Sequence, residues 1–282
     1  MHVRIGEERT RPPPLHSPAV TVPPQVRRFW RALDDLSASV RPTRWGAVVT
    51  DGRFPAIWDA NYARLDAVPE DVTTDEIERT LLPALAEVGA QVEHVVAFDP
   101  DAATGVITDL SSRGHRLSWD LVMTWAEPTP GGAVEAHAVT VERIELDPSA
   151  WRDVRASLAG PFGIDDGVAL DQLMRLEREV LAPAGKRWFG VRVDGRWVSL
   201  AALVVLAGVA YVDNVATDDG HRGRGYASAV TRRIVDVALA ERVSTVFLLA
   251  DPDAEATVRL YERLGFRGVA RIASTRGPFE RP

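Results

Sequence analysis

Ten residues, Gly220 to Ala229 (GHRGRGYASA), contain three glycines and two arginines. An apolar, strand-like run, Val209 to Thr217 (VAYVDNVAT), precedes them, and a helical pattern follows. The start of a helix leaves backbone N–H groups without partners, and its dipole adds partial positive charge. Gly223 and Gly225 let the backbone curl so that successive N–H groups converge on an anion. Arg222 and Arg224 can add charge-assisted hydrogen bonds. Ala227 is small where the first helical turn must approach ligand or sheet. This pattern predicts a diphosphate cradle.

Three ligand classes compete for such a cradle. The nucleotide-binding loop GxxxxGK[ST] does not occur in the chain, which argues against an ATPase. A dinucleotide site has more support. Gly223-x-Gly225 opens a helix, and STVFLLAD ends at Asp251, 28 residues after Gly223, where a ribose-binding acid is expected. Ser228 occupies the third glycine position, however, and the strand ends near Thr217, too early for a tight strand-to-glycine turn.

The third class comes from a resemblance. Arg222-x-x-Gly225-x-Ala227 resembles the R/Q-x-x-G-x-G/A signature of the GCN5-related N-acetyltransferase (GNAT) superfamily. Downstream, RLYERLGF (Arg259 to Phe266) resembles a second signature, a helix ending L-Y-x-x-x-G-F. The close resemblance covers roughly residues 186–275. It implies an acyl-CoA ligand, usually acetyl-CoA, with its pyrophosphate on the backbone of Arg222, Gly223, Arg224, Gly225, Tyr226 and Ala227, and Ser228 nearby. It implies a strand that splays from its neighbour, so that the pantetheine arm pairs with the backbone of Val215, Ala216 and Thr217. One N–H there would polarise the thioester carbonyl. Tyr261 matches the tyrosine that protonates the departing thiolate, and Asp213 stands where many relatives place a general base. Strand alternation puts Asp213, Val215 and Thr217 on one face and Asn214 on the other. The chain departs from the pattern at Ala254, where many relatives have an asparagine that contacts pantetheine.

The expected activity is therefore N-acetyl (acyl) transfer from acetyl-CoA to an amine by direct attack in a ternary complex. The acceptor class is an amine-bearing small molecule or peptide. The alternative keeps the acyl-CoA site without catalysis, as a sensor or scaffold.

The rest of the chain narrows the partners. Net charge is −7, so the surface is not built for nucleic acid or an anionic membrane, and any anion site is local. There are no cysteines, hence no disulfides, no cysteine-ligated metal and no thiol nucleophile, a composition that suits a cytoplasmic protein. No HExxH, GxSxG or metal-spaced histidine pair occurs, so no metal is expected. The eight tryptophans lack interleaved basic residues and read as packing rather than a base-stacking platform. The N-terminus shows no signal-peptide pattern. The longest uncharged apolar run, Trp197 to Val212, has sixteen residues, too few for a membrane span, and reads as two buried strands turning at Ala207-Gly208. A monomer or homodimer is expected.

The elements that must position these residues fall into two units. Residues 1–24 are proline-rich, 25–40 read as a helix, and EPTPGG (Glu127 to Gly132) reads as a linker. The expected domains are an N-terminal extension (1–40), a degenerate GNAT-like unit (41–130) and a catalytic GNAT domain (138–282). The fold class is α/β with a mixed sheet in two tandem units. Both units run strand, helix, strand, helix, strand. The first has TTDEIERTLLPALAEVG as a helix with Thr74 as N-cap, and VPEDVTTD where the second has its glycine turn. FPAIWDANYARLD is expected at an inter-unit or pocket surface. Asp194-Gly195 signals a hairpin turn. The helix YASAVTRRIVDVALAE presents Ala227, Val230, Ile234, Val237 and Ala238 on one face.

Overall fold

A computed structural model of the chain describes residues 21–126, 139–159, 164 and 166–278. The proline-rich start up to residue 20 and the EPTPGG stretch lie outside the described residues. Packing divides the described chain into two units: residues 21–122 with 269–278, and the described residues within 123–268.

The unit built from 21–122 begins with α1 (Pro24–Asp34). The helix predicted over 25–40 is shorter than expected, because Ser39–Thr43 is a strand, β1. Val40 is β-branched and Pro42 has no N–H to give a helix, and both suit an edge strand. There follow β2 (Gly46–Thr50), β3 (Tyr62–Leu65), α2 (Thr74–Val88), β4 (Val92–Ala97), α3 (Thr104–Ser112) and β5 (Arg116–Trp125), whose last residues enter the second unit. β1 to β3 pair antiparallel, and β3 pairs parallel with β4 (Ala63 opposite Val95) across α2. The α2 helix is capped by Thr73, whose hydroxyl accepts the Glu76 N–H at 3.3 Å; Thr74, the predicted cap, is the first helical residue. Asp75 and Glu76 complement the dipole of its first turn. Ile77, Leu81 and Leu85 of α2 are buried with Trp45, Val48, Leu65 and Val95. Each such side chain contributes about 1.5–3 kcal/mol. FPAIWDANYARLD is itself core: Phe54, Ile57, Asn61, Tyr62 and Leu65 are buried, and the Asn61 amide donates to the carbonyls of Phe54 and Ile57.

The second unit continues with β6 (Glu142–Arg143), α4 (Pro148–Ala159), α5 (Gly167–Leu176), β7 (Arg187–Val193), β8 (Arg196–Leu206), β9 (Val209–Thr217), α6 (Tyr226–Ala240), β10 (Thr245–Ala250) and α7 (Glu255–Arg263). The strand predicted from VTVERIEL is only Glu142–Arg143, paired with β7. The two predicted turns form as expected, with left-handed φ at Asp194 and Gly195 and at Ala207 and Gly208. β6 to β9 run antiparallel, and β9 pairs parallel with β10. α6 buries Val230, Thr231, Ile234, Val235 and Ala238, so Val235 takes the place expected of Val237.

The last strand, β11 (Phe266–Pro278), follows α7 in sequence. From Val269 it packs with the first unit, antiparallel to β4, with Ala273 opposite Ala97. His94 of β4 reaches Ser274 of β11 through Nε2 at 2.7 Å, and its Nδ1 lies 3.2 Å from the Trp58 carbonyl. A carbonyl only accepts, so Nδ1 carries the proton and Nε2 accepts from the serine hydroxyl. Burial, and next the nearby Arg276, hold the His94 pKa down to about 3, against its ordinary 6.5. The folded state therefore binds fewer protons than the unfolded one between those values. Its contribution is complete above pH 6.5 and is lost as pH falls toward 3. Denaturant unfolding between pH 7.5 and 4.5 is expected to show His94→Gln losing less stability per pH unit than the parent. The difference approaches about 1.4 kcal/mol per unit at the acid end; parallel pH profiles would refute it.

Candidate active site

The glycine turn joins β9 to α6 inside the second unit. A single tight turn at Asp219–His221 leads to Arg222 in extended backbone, then to Gly223 at φ 75° and Gly225 at φ 79°. A Cβ at either glycine would meet no atom within 4 Å. Left-handed backbone, not crowding, is what requires glycine here. Arg222 donates through Nε to the Thr217 carbonyl at 3.4 Å and pairs with Asp219 at 2.8 Å. Arg224 donates to the Gly220 carbonyl at 3.2 Å. The His221 ring stacks near Tyr226, centroids 6.5 Å apart. α6 has no side-chain cap, and its first internal hydrogen bond runs from the Ala229 amide to the Gly225 carbonyl at 3.0 Å. The amides of Tyr226, Ala227 and Ser228 precede that bond and point out of the helix start.

Strand β9 changes character just before the turn. Its parallel ladder with β10 runs from Val209 opposite Thr245 to Val212 opposite Leu248 and ends there. Residues 213–217 have no register partner on β10 among the described residues. On the other side, the antiparallel register with β8 passes from Ala202 opposite Asp213 to Leu200 opposite Ala216. Asn214 and Val215 together face Ala201, which makes a β-bulge with Asn214 at φ 51°. The bulge breaks the predicted alternation: Asp213 and Asn214 are both buried, and their side chains share one partner. Beyond it, Ser199 bonds to the Ala216 carbonyl and to the Thr217 hydroxyl at 3.2 and 2.9 Å. A shallow groove opens between α4 (Asp153, Ala156, Ser157), the start of β8 (Arg196 to Val198) and the end of β9 (Ala216, Thr217) with Asp218 just after it.

The shared partner is Lys186. Its Nζ lies 2.6 Å from Glu177 Oε1, 2.8 Å from Asp213 Oδ2 and 2.8 Å from Asn214 Oδ1. The three side chains are fully or almost fully buried. The second Asp213 oxygen accepts the Asn214 amide at 2.9 Å. Burial disfavours the ammonium, but the Asp213 and Glu177 carboxylates outweigh it and raise the Lys186 pKa. Burial pushes Glu177 upward, and its Oε2 has no hydrogen-bond partner among the described residues. Glu177 is delivered by a widened, π-type turn over 177–181 that ends α5. Motif reading missed Lys186. The signal was available in the composition, because Lys186 is the only lysine among 33 basic residues.

Tyr261 sits on α7 with 6% of its surface exposed, its ring edge-on to Phe266. Burial raises its pKa, so the phenol keeps its proton at neutral pH. Ala254 precedes α7 and supplies no side-chain cap. Among the described residues, no group of acids and histidines could hold a metal ion. No helix of the described chain is long and apolar enough to cross a membrane.

Residues 149–266 match the model of the Acetyltransferase (GNAT) family. The chain is 28% identical over 203 residues to a mycothiol acetyltransferase of Beutenbergia cavernae, covering 66% of this chain and 68% of that relative. A GCN5-related N-acetyltransferase from Kribbella flavida superposes with a TM-score of 0.58 at 19% identity, over 90% of this chain and 93% of that one. A functionally unknown conserved protein from Staphylococcus epidermidis superposes with a TM-score of 0.66 at 11% identity, over 86% and 94%. At these identities the two structures speak for the fold. The matched segment holds the glycine turn, the bulged strand and Tyr261, and over this segment the chain matches the GNAT family of acetyltransferases.

Proposed function

We propose that the domain transfers an acetyl group from acetyl-CoA to an amine by direct attack. The observation that carries this reading is the coincidence, at one end of β9, of a strand leaving its neighbour after Val212 and an uncapped helix start a few residues later. The first offers a row of backbone groups to a pantetheine arm, through Val215, Ala216 and Thr217. The second offers the amides of Gly223 to Ser228, with Arg222 and Arg224 alongside, to a pyrophosphate. The similarity to an acetyltransferase named for mycothiol supports acetyl transfer; the acceptor proposed here is an amine-bearing small molecule or peptide.

In the proposed reaction the amine nitrogen bonds to the thioester carbon. A β9 amide stabilises the oxyanion, the C–S bond breaks, and Tyr261 gives its proton to the thiolate. Asp213 is the proposed destination of the amine proton, reached through water. Its ion pair with Lys186 fixes where the carboxylate sits. The unit of 21–122 with 269–278 is proposed as a degenerate tandem copy. It repeats the strand–helix–parallel strand of β9–α6–β10 in β3–α2–β4, but its helix start is closed by Thr73, Asp75 and Glu76. We place the protein in the cytoplasm, as a monomer or homodimer.

Ala254, in place of the asparagine of many relatives, favours a second reading, acyl-CoA binding without catalysis. One variant tests the site that both readings share, and a second tests catalysis. Titration calorimetry is expected to show the parent binding acetyl-CoA and Gly225→Glu binding it at least about a hundredfold more weakly, since a carboxylate enters the cradle on strained backbone. A folded parent with no binding below millimolar would sink both readings. Tyr261→Phe is expected to keep the acetyl-CoA affinity while kcat with an accepted amine falls about a hundredfold. Binding without transfer across a broad amine panel would decide for the second reading.

A further inference from the structure

Lys186 departs from the rest of the chain in two ways. The other basic side chains are all arginine, and this lone lysine is completely buried. A guanidinium is a flat fork suited to two parallel bonds, whereas an ammonium is a compact point charge with three donors. Here the three donors meet three oxygens from two directions in the fold: Glu177 from the widened turn after α5, and Asp213 and Asn214 from two successive positions of β9. Successive strand residues ordinarily point to opposite faces. Both side chains can reach one ammonium only because Asn214 is left-handed, a conformation that asparagine tolerates better than most residues. The bond from the Asn214 amide to its neighbour Asp213 closes the same knot.

We propose that Lys186 is a positioning residue: its ammonium, shared by Glu177, Asp213 and Asn214, locks the β9 bulge, and the bulge directs the backbone of 215–217 away from β10 toward the acyl-CoA. The second half of this inference rests on the acyl-CoA reading above; the first half does not. Lys186 and Glu177 are buried, and their part in the lock is to hold Asp213 and Asn214 in place.

The chain has no cysteine, which allows a test by chemical rescue. Lys186→Cys is alkylated while unfolded and then refolded. One portion is treated with 2-bromoethylamine, which restores an ammonium on a side chain of lysine's length. Another is treated with an ethylating reagent, which gives a neutral side chain. Hydrogen exchange and acetyl-CoA affinity are measured on both and on the parent. The ethylated protein is expected to exchange the amides of 214–217 about tenfold faster than the parent, with the sheet elsewhere unchanged, and to bind acetyl-CoA about tenfold more weakly. The aminoethylated protein is expected to recover both. An ethylated protein that matches the parent in both measurements, or a folded aminoethylated protein that recovers neither, overturns the proposal. If exchange responds as expected while the parent takes no acetyl-CoA, the lock stands and the acyl-CoA reading falls with its second half. Should the ethylated protein not refold, Lys186→Met with Glu177→Gln and Asp213→Asn removes all three charges together and leaves none buried alone. In that protein, unchanged exchange at 214–217 overturns the lock and faster exchange confined there supports it.

Discussion

A single ammonium in the interior organises the functional end of this domain. Removing one member of a buried ion cluster costs about 3–5 kcal/mol, because the partner charges are left without compensation. Around Lys186 that constraint fixes the positions of Glu177, Asp213 and Asn214 relative to one another. A β9 in regular register would carry Asn214 to the opposite face from Asp213. The chain avoids this by inserting one residue opposite Ala201 and placing Asn214 at φ 51°. The bulge lies next to the point where the β9–β10 ladder ends. The polar cluster, the bulge and the opened strand are therefore successive links in one chain of causes, and the bulge at Asn214 stands six residues before Gly220.

Local chemistry made part of this legible in the sequence. The left-handed glycines at 223 and 225, the hairpin turns at Asp194-Gly195 and Ala207-Gly208, and the helices opening at Tyr226 and Thr74 all follow from residues close in sequence. What stayed hidden depends on partners far along the chain. The bulge needs Lys186, 28 residues before Asn214, and no periodicity in VAYVDNVAT shows it. The packing of β11 from Val269 onward with β4 is set by a register between Ala273 and Ala97, which sequence order cannot reveal. The shift of one helix cap from Thr74 to Thr73 is of another kind: both residues could cap, and the backbone chooses the one that reaches the Glu76 amide. A lysine kept where every other base is arginine was readable, but as composition rather than as motif.

The two units show how little is needed to open or close such a site. Both place a helix between parallel strands, β3–α2–β4 and β9–α6–β10. At α2, a threonine hydroxyl satisfies one of the first amides, and two acidic residues occupy the first turn. An arriving anion would meet like charge and fewer open donors. At α6, the cap is a left-handed glycine with no side chain, no acid stands in the first turn, and two arginines flank it. On the proposed reading, about four side chains decide whether such a helix start receives an anion or is closed.

That local character reconciles the site with a chain of net charge −7. At physiological salt, exposed charges more than about 8 Å away are largely screened, whereas amides and guanidiniums in contact act at full strength. Arg222 and Arg224 reach back to the Thr217 and Gly220 carbonyls, and Arg222 also pairs with Asp219. Positive potential at the helix start is therefore built from fixed dipoles and from Arg224, with the charge of Arg222 shared with Asp219. The opened β9 edge adds no charge at all. In the proposed function it suits a ligand whose uncharged arm pairs with backbone and whose anionic part lies one strand-end away, which is the division of polarity that an acyl-CoA presents.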